Sequence, residues 1–347
     1  MSSNQKDTLE SNKDLDSNEK VEAETIEAKD KAVLYIVIPC YNEEAVLTIT
    51  STLFLNKIKH LVNINKISNK SKILFVDDGS TDSTWEIINI LSRSDNHFCG
   101  IKQSRNRGHQ SSLLAGLMEV RDKADVAISI DCDGQDDINA IDDMLDRYYE
   151  GFDIVYGVRD NRDTDTPFKR NTAQLFYKIL NKLGAETVYN HADYRLTSSR
   201  VLNELSNYSE VNLYLRGIFP LIGFKSTTVK YSRKERIAGK SHYPLGKMLN
   251  LAINGITNLS TKPIRIITML GLAISVISFA TIIWVLIGLI NGSTVQGWAS
   301  TLGILSLFCG IQLISIGVIG EYIGKIYMET KHRPRYIISE RTETLEK

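Results

Sequence analysis

The chain has 347 residues, 43% of them hydrophobic, with 41 basic and 41 acidic side chains and a formal net charge of zero. That length is about two domains' worth, and the balanced charge excludes a nucleic-acid binder that neutralises phosphates along a duplex. The cysteines Cys40, Cys99, Cys132 and Cys309 show no CxxC spacing, so neither a zinc site nor a disulfide framework is indicated, which fits a reducing, cytosolic setting.

Residues 1–31 are largely Ser, Asn, Lys, Asp and Glu. Such a composition cannot bury enough apolar area to offset its ordering entropy, so a disordered polar tail is expected. The tail lacks the apolar core of a signal peptide, which leaves membrane delivery to the C-terminal segments. From 32 to 240 short apolar runs alternate with helical segments, the pattern of βαβ units around a mainly parallel α/β sheet. Ala32 to Pro39 reads as a buried strand, followed by a helix from Glu43 to Lys59. Ser71 to Val76 reads as the second strand and Asp82 to Arg93 as its helix. Phe98 to Gln103 is the third strand, with a helix from Gln110 to Lys123, and Val126 to Ile130 and Asp153 to Tyr156 are the fourth and fifth strands. The polar segment from Arg159 to Thr166 is placed to fold over a bound ligand.

After Pro244, Leu245, Met248, Leu249, Ala252, Ile256 and Leu259 recur at helical spacing opposite Lys247, Asn250, Asn254, Thr257 and Asn258. The segment 241–265 is therefore an expected amphipathic helix, lying in a membrane interface, packed on the preceding domain, or both. Residues 266–320 carry no charged side chain. At about 1.5 Å per residue, roughly 20 apolar residues cross the hydrocarbon core of a bilayer. Transmembrane helices are thus expected over 266–290 and 301–324, joined by an extracytoplasmic loop over 291–300. Lys262 and Arg265 precede the pair, and Lys325, Lys331, Arg333 and Arg335 follow it in a basic tail over 325–347. By the positive-inside rule both flanks and the α/β domain face the cytosol, as in a multi-pass cell-membrane protein. Gly271, Ala273, Gly310, Gly317 and Gly320 permit close helix packing.

The strands of the α/β region end in polar chemistry: Pro39-Cys-Tyr-Asn-Glu-Glu44, Asp77-Asp-Gly-Ser-Thr-Asp82, Ser104-Arg-Asn-Arg-Gly-His-Gln110 and Asp131-Cys-Asp-Gly-Gln-Asp-Asp137. Ligands of open parallel sheets sit at the carboxyl ends of the strands, so these four loops predict one site. Asp131 and Asp133 repel each other unless a cation lies between them. Hard oxygen ligands, few in number, suit Mg²⁺ or Mn²⁺ bridging a diphosphate. A solvated acidic turn or a calcium loop is the competing reading. The twelfth position of such a loop is Asp142 rather than a bidentate Glu, however, and the preceding residues read as strand. No GxGxxG follows the first strand, and Gly239-Lys-Ser241 lacks the Walker A glycine, Lys234 standing in its place. Asp77 or Asp78 is a candidate helix cap, yet a cap needs one acceptor and this loop offers several.

The segments VIPCYNEE, VDDGSTD, SRNRGHQ, DCDGQDD, NHADYRL, RKERIAGKSHY and GEYIGKIYMETKHRPRYI resemble the inverting family 2 glycosyltransferases that load polyisoprenyl phosphates. These are the dolichol-phosphate mannose synthase and bactoprenol glucosyltransferase type. The resemblance covers roughly residues 34–338, in family order and spacing. It implies a GT-A fold, Rossmann-like with a mainly parallel sheet, carrying a two-helix membrane anchor. It implies that Pro39, Tyr41 and Glu43 border the nucleotide and that Asp77 or Asp78 contacts uracil or ribose. Asp131 and Asp133 match the metal-binding pair that holds the donor diphosphate, with Asp133 catalytic and Gln135 on the donor. Cys132, Gly134 and Asp137 depart from the DADLQDP of many relatives, which puts the floor of the donor pocket in question. Asp193 occupies the position of a catalytic base or acceptor orienter; the competing reading is an ion pair with Arg195. An anionic acceptor requires cations, and Arg195, Arg233, Arg236 and Lys240 are the candidates for its phosphate. His109 is expected to orient a phosphate or the loop backbone rather than to act as an acid.

The expected activity is metal-dependent transfer of a hexose from a UDP-sugar to undecaprenyl phosphate, releasing UDP and inverting the anomeric carbon. Glucose is preferred over N-acetylglucosamine by resemblance. The implied partners are membrane lipid, further copies of the chain with a tetramer as family precedent, a separate flippase and a downstream glycosyltransferase. A processive polysaccharide synthase is disfavoured, because none of Trp85, Trp284 and Trp298 completes a QxxRW motif. A membrane-anchored nucleotide-sugar scaffold without turnover is the alternative of a different class.

Overall fold

Every residue of β1 (Leu34–Cys40) is buried, as a strand must be when parallel neighbours flank it and helices cover both faces. The computed structural model describes residues 31–160, 191–211, 214–233, 261–291 and 297–346. The tail over 1–30, the loop beyond Asp160, Arg236, Lys240, the amphipathic segment up to 260 and residues 292–296 lie outside the described residues.

In chain order β1 is followed by α1 (Glu44–Asn63), β2 (Lys72–Asp77), α2 (Thr84–Ser94), β3 (Phe98–Gln103), α3 (His109–Val120), β4 (Val126–Ser129), α4 (Ala140–Tyr149) and β5 (Ile154–Arg159). Then come β6 (His191–Ser198), α5 (Ser199–Ser206), α6 (Leu215–Ile222) and β7 (Ser226–Tyr231). Two long helices, α7 (Lys262–Ile290) and α8 (Trp298–Thr330), precede β8 (Ile338–Arg341) and a last turn, α9 (Glu343–Glu346). The five strands and three helices read from sequence within residues 32–156 are present, with ends shifted by a few residues. Helix α1 runs four residues past the expected end because Leu61 is buried. It stops where Asn65 adopts φ 59° and the Lys66 N–H donates to the Leu61 carbonyl at 2.9 Å, a left-handed termination that Asn tolerates.

The eight strands form one sheet in the order β7-β5-β6-β4-β1-β2-β3-β8. Strands β1 to β4 are mutually parallel where they pair, and β7 is parallel to β5. Strand β6 runs antiparallel to both β4 and β5. The result is a mixed, mostly parallel GT-A-like sheet. Alternate residues of β1 feed two cores: Leu34, Ile36 and Ile38 pack with Leu47, Phe54 and Ile58 of α1 and Ile141 of α4. Tyr35 and Val37 pack with Leu113, Leu114 and Leu117 of α3 on the other face.

Helices α7 and α8 each contain a span long and apolar enough to cross a membrane, Lys262–Thr281 with mean hydropathy 1.9 and Leu307–Thr330 with mean hydropathy 1.6. Their large apolar side chains, including Leu272, Phe279, Trp284, Leu313 and Ile314, are exposed. Helices apolar and unburied in this way call for lipid around them. Helix α8 continues to Thr330, and the following segment, read from sequence as a basic tail, returns to the α/β domain. Strand β8 pairs antiparallel with β3, Trp85 donates to Glu340 at 3.0 Å, and the Ser104 N–H donates to the Ile337 carbonyl. Near the end of α8, Glu329 accepts the Val211 N–H at 2.9 Å, and Arg335 donates to the Tyr208 carbonyl.

Helix α3 lies so close to the sheet that a Cβ on Gly116 would meet Val37 Cγ1 at 2.4 Å and Val76 Cγ2 at 2.7 Å. Overpacking of this kind costs about 1–3 kcal/mol. Gly116→Ala should therefore lower the apparent melting temperature of the detergent-purified protein by several degrees, read by intrinsic fluorescence. An unchanged melting temperature would mean that α3 moves off the sheet at little cost.

Candidate active site

The strand order reverses at β1, which has β2 on one side and β4 on the other. Open α/β sheets place ligands outside the carboxyl ends of strands at such a point, and the loops after β1, β2, β3 and β4 meet there. The first two are stitched together: the Asn42 N–H donates to Ser80, Glu43 N–H to Thr84, Glu44 N–H to Asp82 and Thr81 N–H to Asn42. Pro39 is buried at the end of β1, while Tyr41, 44% exposed, stands at the rim. Gly79 at φ 67° allows the tight turn after Asp78, since a Cβ there would meet the Arg105 carbonyl carbon at 2.6 Å.

Asp77 and Asp78 differ in what they hold. Asp78 accepts from Gln103 Nε2 at 3.0 Å and from the N–H groups of Arg107 at 2.8 Å and Gly108 at 2.9 Å, so it shapes the loop after β3. Asp77 accepts the Ser80 N–H through Oδ1 at 3.0 Å, while its buried Oδ2 has no protein partner among the described residues. Burial raises the pKa of both carboxyls. An orphaned buried acceptor costs free energy, and of the two Asp77 is the one left with an atom for a ligand.

The acidic turn follows β4. Asp131 is 36% exposed, Asp133 is buried and accepts the Gln135 N–H at 3.1 Å, and Asp136 accepts the Tyr231 hydroxyl at 2.8 Å. Burial, and then the charge of Asp131, push Asp136 up to about 6. Arg159 reaches the Tyr231 hydroxyl at 3.3 Å and approaches Asp136 at 4.0 Å. Arg233 donates to Gln135, with a backbone bridge from Asp136 to Arg233 behind the contact. The candidate acceptor residue Arg233 is thereby held against the turn that carries the candidate donor residues. Among the described residues no group of three or more His, Cys, Asp and Glu is arranged to enclose a metal ion. Asp131 and Asp133 are the residues that would hold a hard divalent cation, an open site with few protein oxygens.

Asp193, on β6, is 6% exposed and is held by a bidentate Arg216, Nε to Oδ1 and Nη2 to Oδ2, both at 3.0 Å. His109 Nε2 lies 3.2 Å from Asp193 Oδ2 and 3.9 Å from Asp131 Oδ1, bridging the two carboxylates. The ion pair read from sequence between Asp193 and Arg195 is not formed; Arg216 takes that place. Arg195 is 1% exposed, with its guanidinium 4.0 Å from the Phe219 ring centroid and its three nitrogens without hydrogen-bond partners among the described residues. Burial lowers its pKa to about 10. The structure keeps its guanidinium inside the fold. Sequence reasoning did not single out Arg216, Gln110, Asp136 or Tyr231. The signal for Arg216 was present, as a lone charge in the apolar run Leu215–Ile222.

Burial pulls the His109 pKa down, but the hydrogen bond to Asp193 and the charge of Asp131 outweigh it and raise it from 6.5 to about 9. A group with a raised folded pKa contributes stability below its unfolded value and loses it as pH rises through the folded one. In metal-free protein the melting-temperature advantage of wild type over His109→Gln should be full below about pH 6.5 and vanish above about pH 9. An advantage that persists undiminished at the alkaline end would contradict this.

Residues 35–206 match the model of glycosyl transferase family 2. The uncharacterized glycosyltransferase YkoT of Bacillus subtilis is 50% identical over 89% of this chain and 92% of its own length. The bactoprenol glucosyl transferase of Shigella phage SfV is 39% identical over 87% of this chain and 97% of its own. Among solved structures, a mannosyltransferase from Pyrobaculum calidifontis in complex with GDP-Man and Mn²⁺ is similar at a TM-score of 0.43 and 14% identity, over 62% of this chain and 59% of that one. With a GT-A-like sheet, an acidic turn at its switch point and identity extending across nearly the whole of these relatives, this chain belongs to glycosyl transferase family 2, close to the bactoprenol glucosyl transferases.

Proposed function

We propose that this glycosyltransferase moves a hexose, glucose in preference to N-acetylglucosamine, from a UDP-sugar to undecaprenyl phosphate at the cytosolic face of the cell membrane. The observation that carries the reading is the 39% identity to a bactoprenol glucosyl transferase over nearly that protein's entire length. The apolar helices α7 and α8 support it, because an acceptor with a lipid tail has to be met at a membrane surface. The basic flanks Lys262, Arg265, Lys325, Lys331, Arg333 and Arg335 support a cytosolic α/β domain.

In this reading Tyr41, Glu43 and Asp77 meet the nucleoside, and Asp131, Asp133 and Gln135 face the diphosphate. Asp131 and Asp133 would hold Mg²⁺ or Mn²⁺, which when bound neutralises charge on the departing diphosphate. An oxygen of the lipid phosphate attacks the anomeric carbon; the new carbon–oxygen bond forms as the bond to UDP breaks. The phosphate is already anionic at neutral pH, so no proton need be removed, and alignment and charge stabilisation supply the rate. Single displacement from an α-linked donor gives a β-linked lipid-phosphate sugar. Two membrane helices are too few to flip that product, so a separate flippase and a downstream transferase complete the route, and self-association of α7 and α8 is part of the same proposal.

Purified protein incubated with Mg²⁺, undecaprenyl phosphate and radiolabelled UDP-glucose or UDP-N-acetylglucosamine should place label in the organic phase from one donor. No label from any UDP- or GDP-sugar, with folded protein and intact lipid, would overturn the proposal. Asp133→Ala should keep the fold while losing at least about 100-fold in turnover, about 3 kcal/mol of transition-state stabilisation. A non-catalytic scaffold would have no turnover to lose.

A further inference from the structure

Asp193 is enclosed by hydrogen-bond donors. Oδ1 accepts Arg216 Nε at 3.0 Å, while Oδ2 accepts Arg216 Nη2 at 3.0 Å, Gln110 Nε2 at 3.4 Å and, in the tautomer protonated there, His109 Nε2 at 3.2 Å. A carboxylate offers about four lone-pair directions, so a further proton or water is accepted only by displacing one of these donors. The amide of Gln110 works in both directions, since its Oε1 accepts the Leu215 N–H at 3.0 Å. The first turn of α3, strand β6 and the first turn of α6 are thus locked around one carboxylate. Arg195 lies close enough beneath to feel the charge of Asp193. The Arg216 guanidinium is bonded to this buried carboxylate, and Arg195, which feels its charge without pairing with it, leaves the region with a further positive charge.

We propose that Arg216 is a positioning residue of the transfer reaction and that Asp193 acts as its anchor rather than as a base that deprotonates the acceptor. The inference rests on the reading of the chain as a transferase with an anionic lipid-phosphate acceptor. The planar guanidinium, fixed by two hydrogen bonds, holds His109 and the Asp193 strand in register and keeps a fixed positive charge beside the acceptor. A base at Asp193 would have to leave its four donors for a proton that the acceptor does not need to lose.

The test is a double-mutant cycle in full-length, detergent-purified protein with UDP-glucose, Mg²⁺ and undecaprenyl phosphate. The variants are Arg216→Ala, Arg216→Lys, Asp193→Asn and the double variant Asp193→Asn/Arg216→Ala. Each is scored for melting temperature, UDP-glucose affinity, and kcat and KM for the lipid. Arg216→Ala should lose about 100-fold in kcat/KM for the lipid phosphate while UDP-glucose affinity stays within about twofold. Arg216→Lys, which keeps the charge and loses the fork, should fall between it and wild type. The double variant should be within about threefold of the worse single one, because both changes break one unit. Added ethylguanidinium should restore part of the Arg216→Ala rate. Losses that multiply, with Asp193→Asn abolishing kcat at unchanged lipid KM, would make Asp193 an independent base and overturn the inference alone. Wild-type protein inert towards lipid phosphate would overturn the transferase reading and this inference with it.

Discussion

The reversal of strand order at β1 is the constraint on which the rest of this molecule depends. Parallel pairing to β2 and β4 leaves the carboxyl ends of three adjacent strands on one edge, and helices on both faces bury β1 completely. The chain can turn at that edge only through loops, and backbone polar groups in loops need partners. Asn42, Ser80, Asp82 and Thr84 supply them between the first two loops, and Asp78 supplies them to the third. The loops of the edge are thereby held to one another by their own hydrogen bonds, an arrangement that suits catalysis by positioning.

Charge is divided across this edge. On one side burial, and then the charges of Asp131 and Asp133, raise the proton affinity of Asp136, a like-charge repulsion that positive charge relieves. On the other, Asp193 is outnumbered by Arg216 and Arg195 and is held well below the ordinary carboxylate range despite its burial, chiefly by Arg216 and then His109. His109 stands where the two regions meet. The proposed function sets a donor diphosphate and its metal on the first side and an anionic acceptor on the second. Glu329, Arg335 and β8 tie the end of the second apolar helix to Val211, Tyr208 and strand β3 of the α/β domain.

Legibility in the sequence followed the range of the interactions involved. The strands β1 to β5 are short apolar runs bounded by polar loops, so local pattern revealed them, and their final polar residues revealed the edge. Strand β6 was opaque because His191, Asp193 and Arg195 interrupt its apolar positions. Asp193 is there for partners supplied by distant segments, His109, Gln110 and Arg216. The return of the chain as β8 was equally opaque, since Ile338–Arg341 has no strand pattern of its own and is ordered by β3, Trp85 and Glu119.

By itself the sequence determined the α/β class, the two apolar spans and the acidic turn of Asp131 and Asp133, because periodicity, span length and DxD spacing are local properties of a chain. Only tertiary structure decided that Arg216 rather than Arg195 neutralises Asp193, that Asp78 shapes a loop while Asp77 keeps an unpartnered oxygen, and that the segment after the anchor closes the sheet edge. Each of those outcomes depends on which groups share a buried, low-dielectric space. That sharing is settled by packing between segments up to a few hundred residues apart, where no local spacing in the sequence can report it.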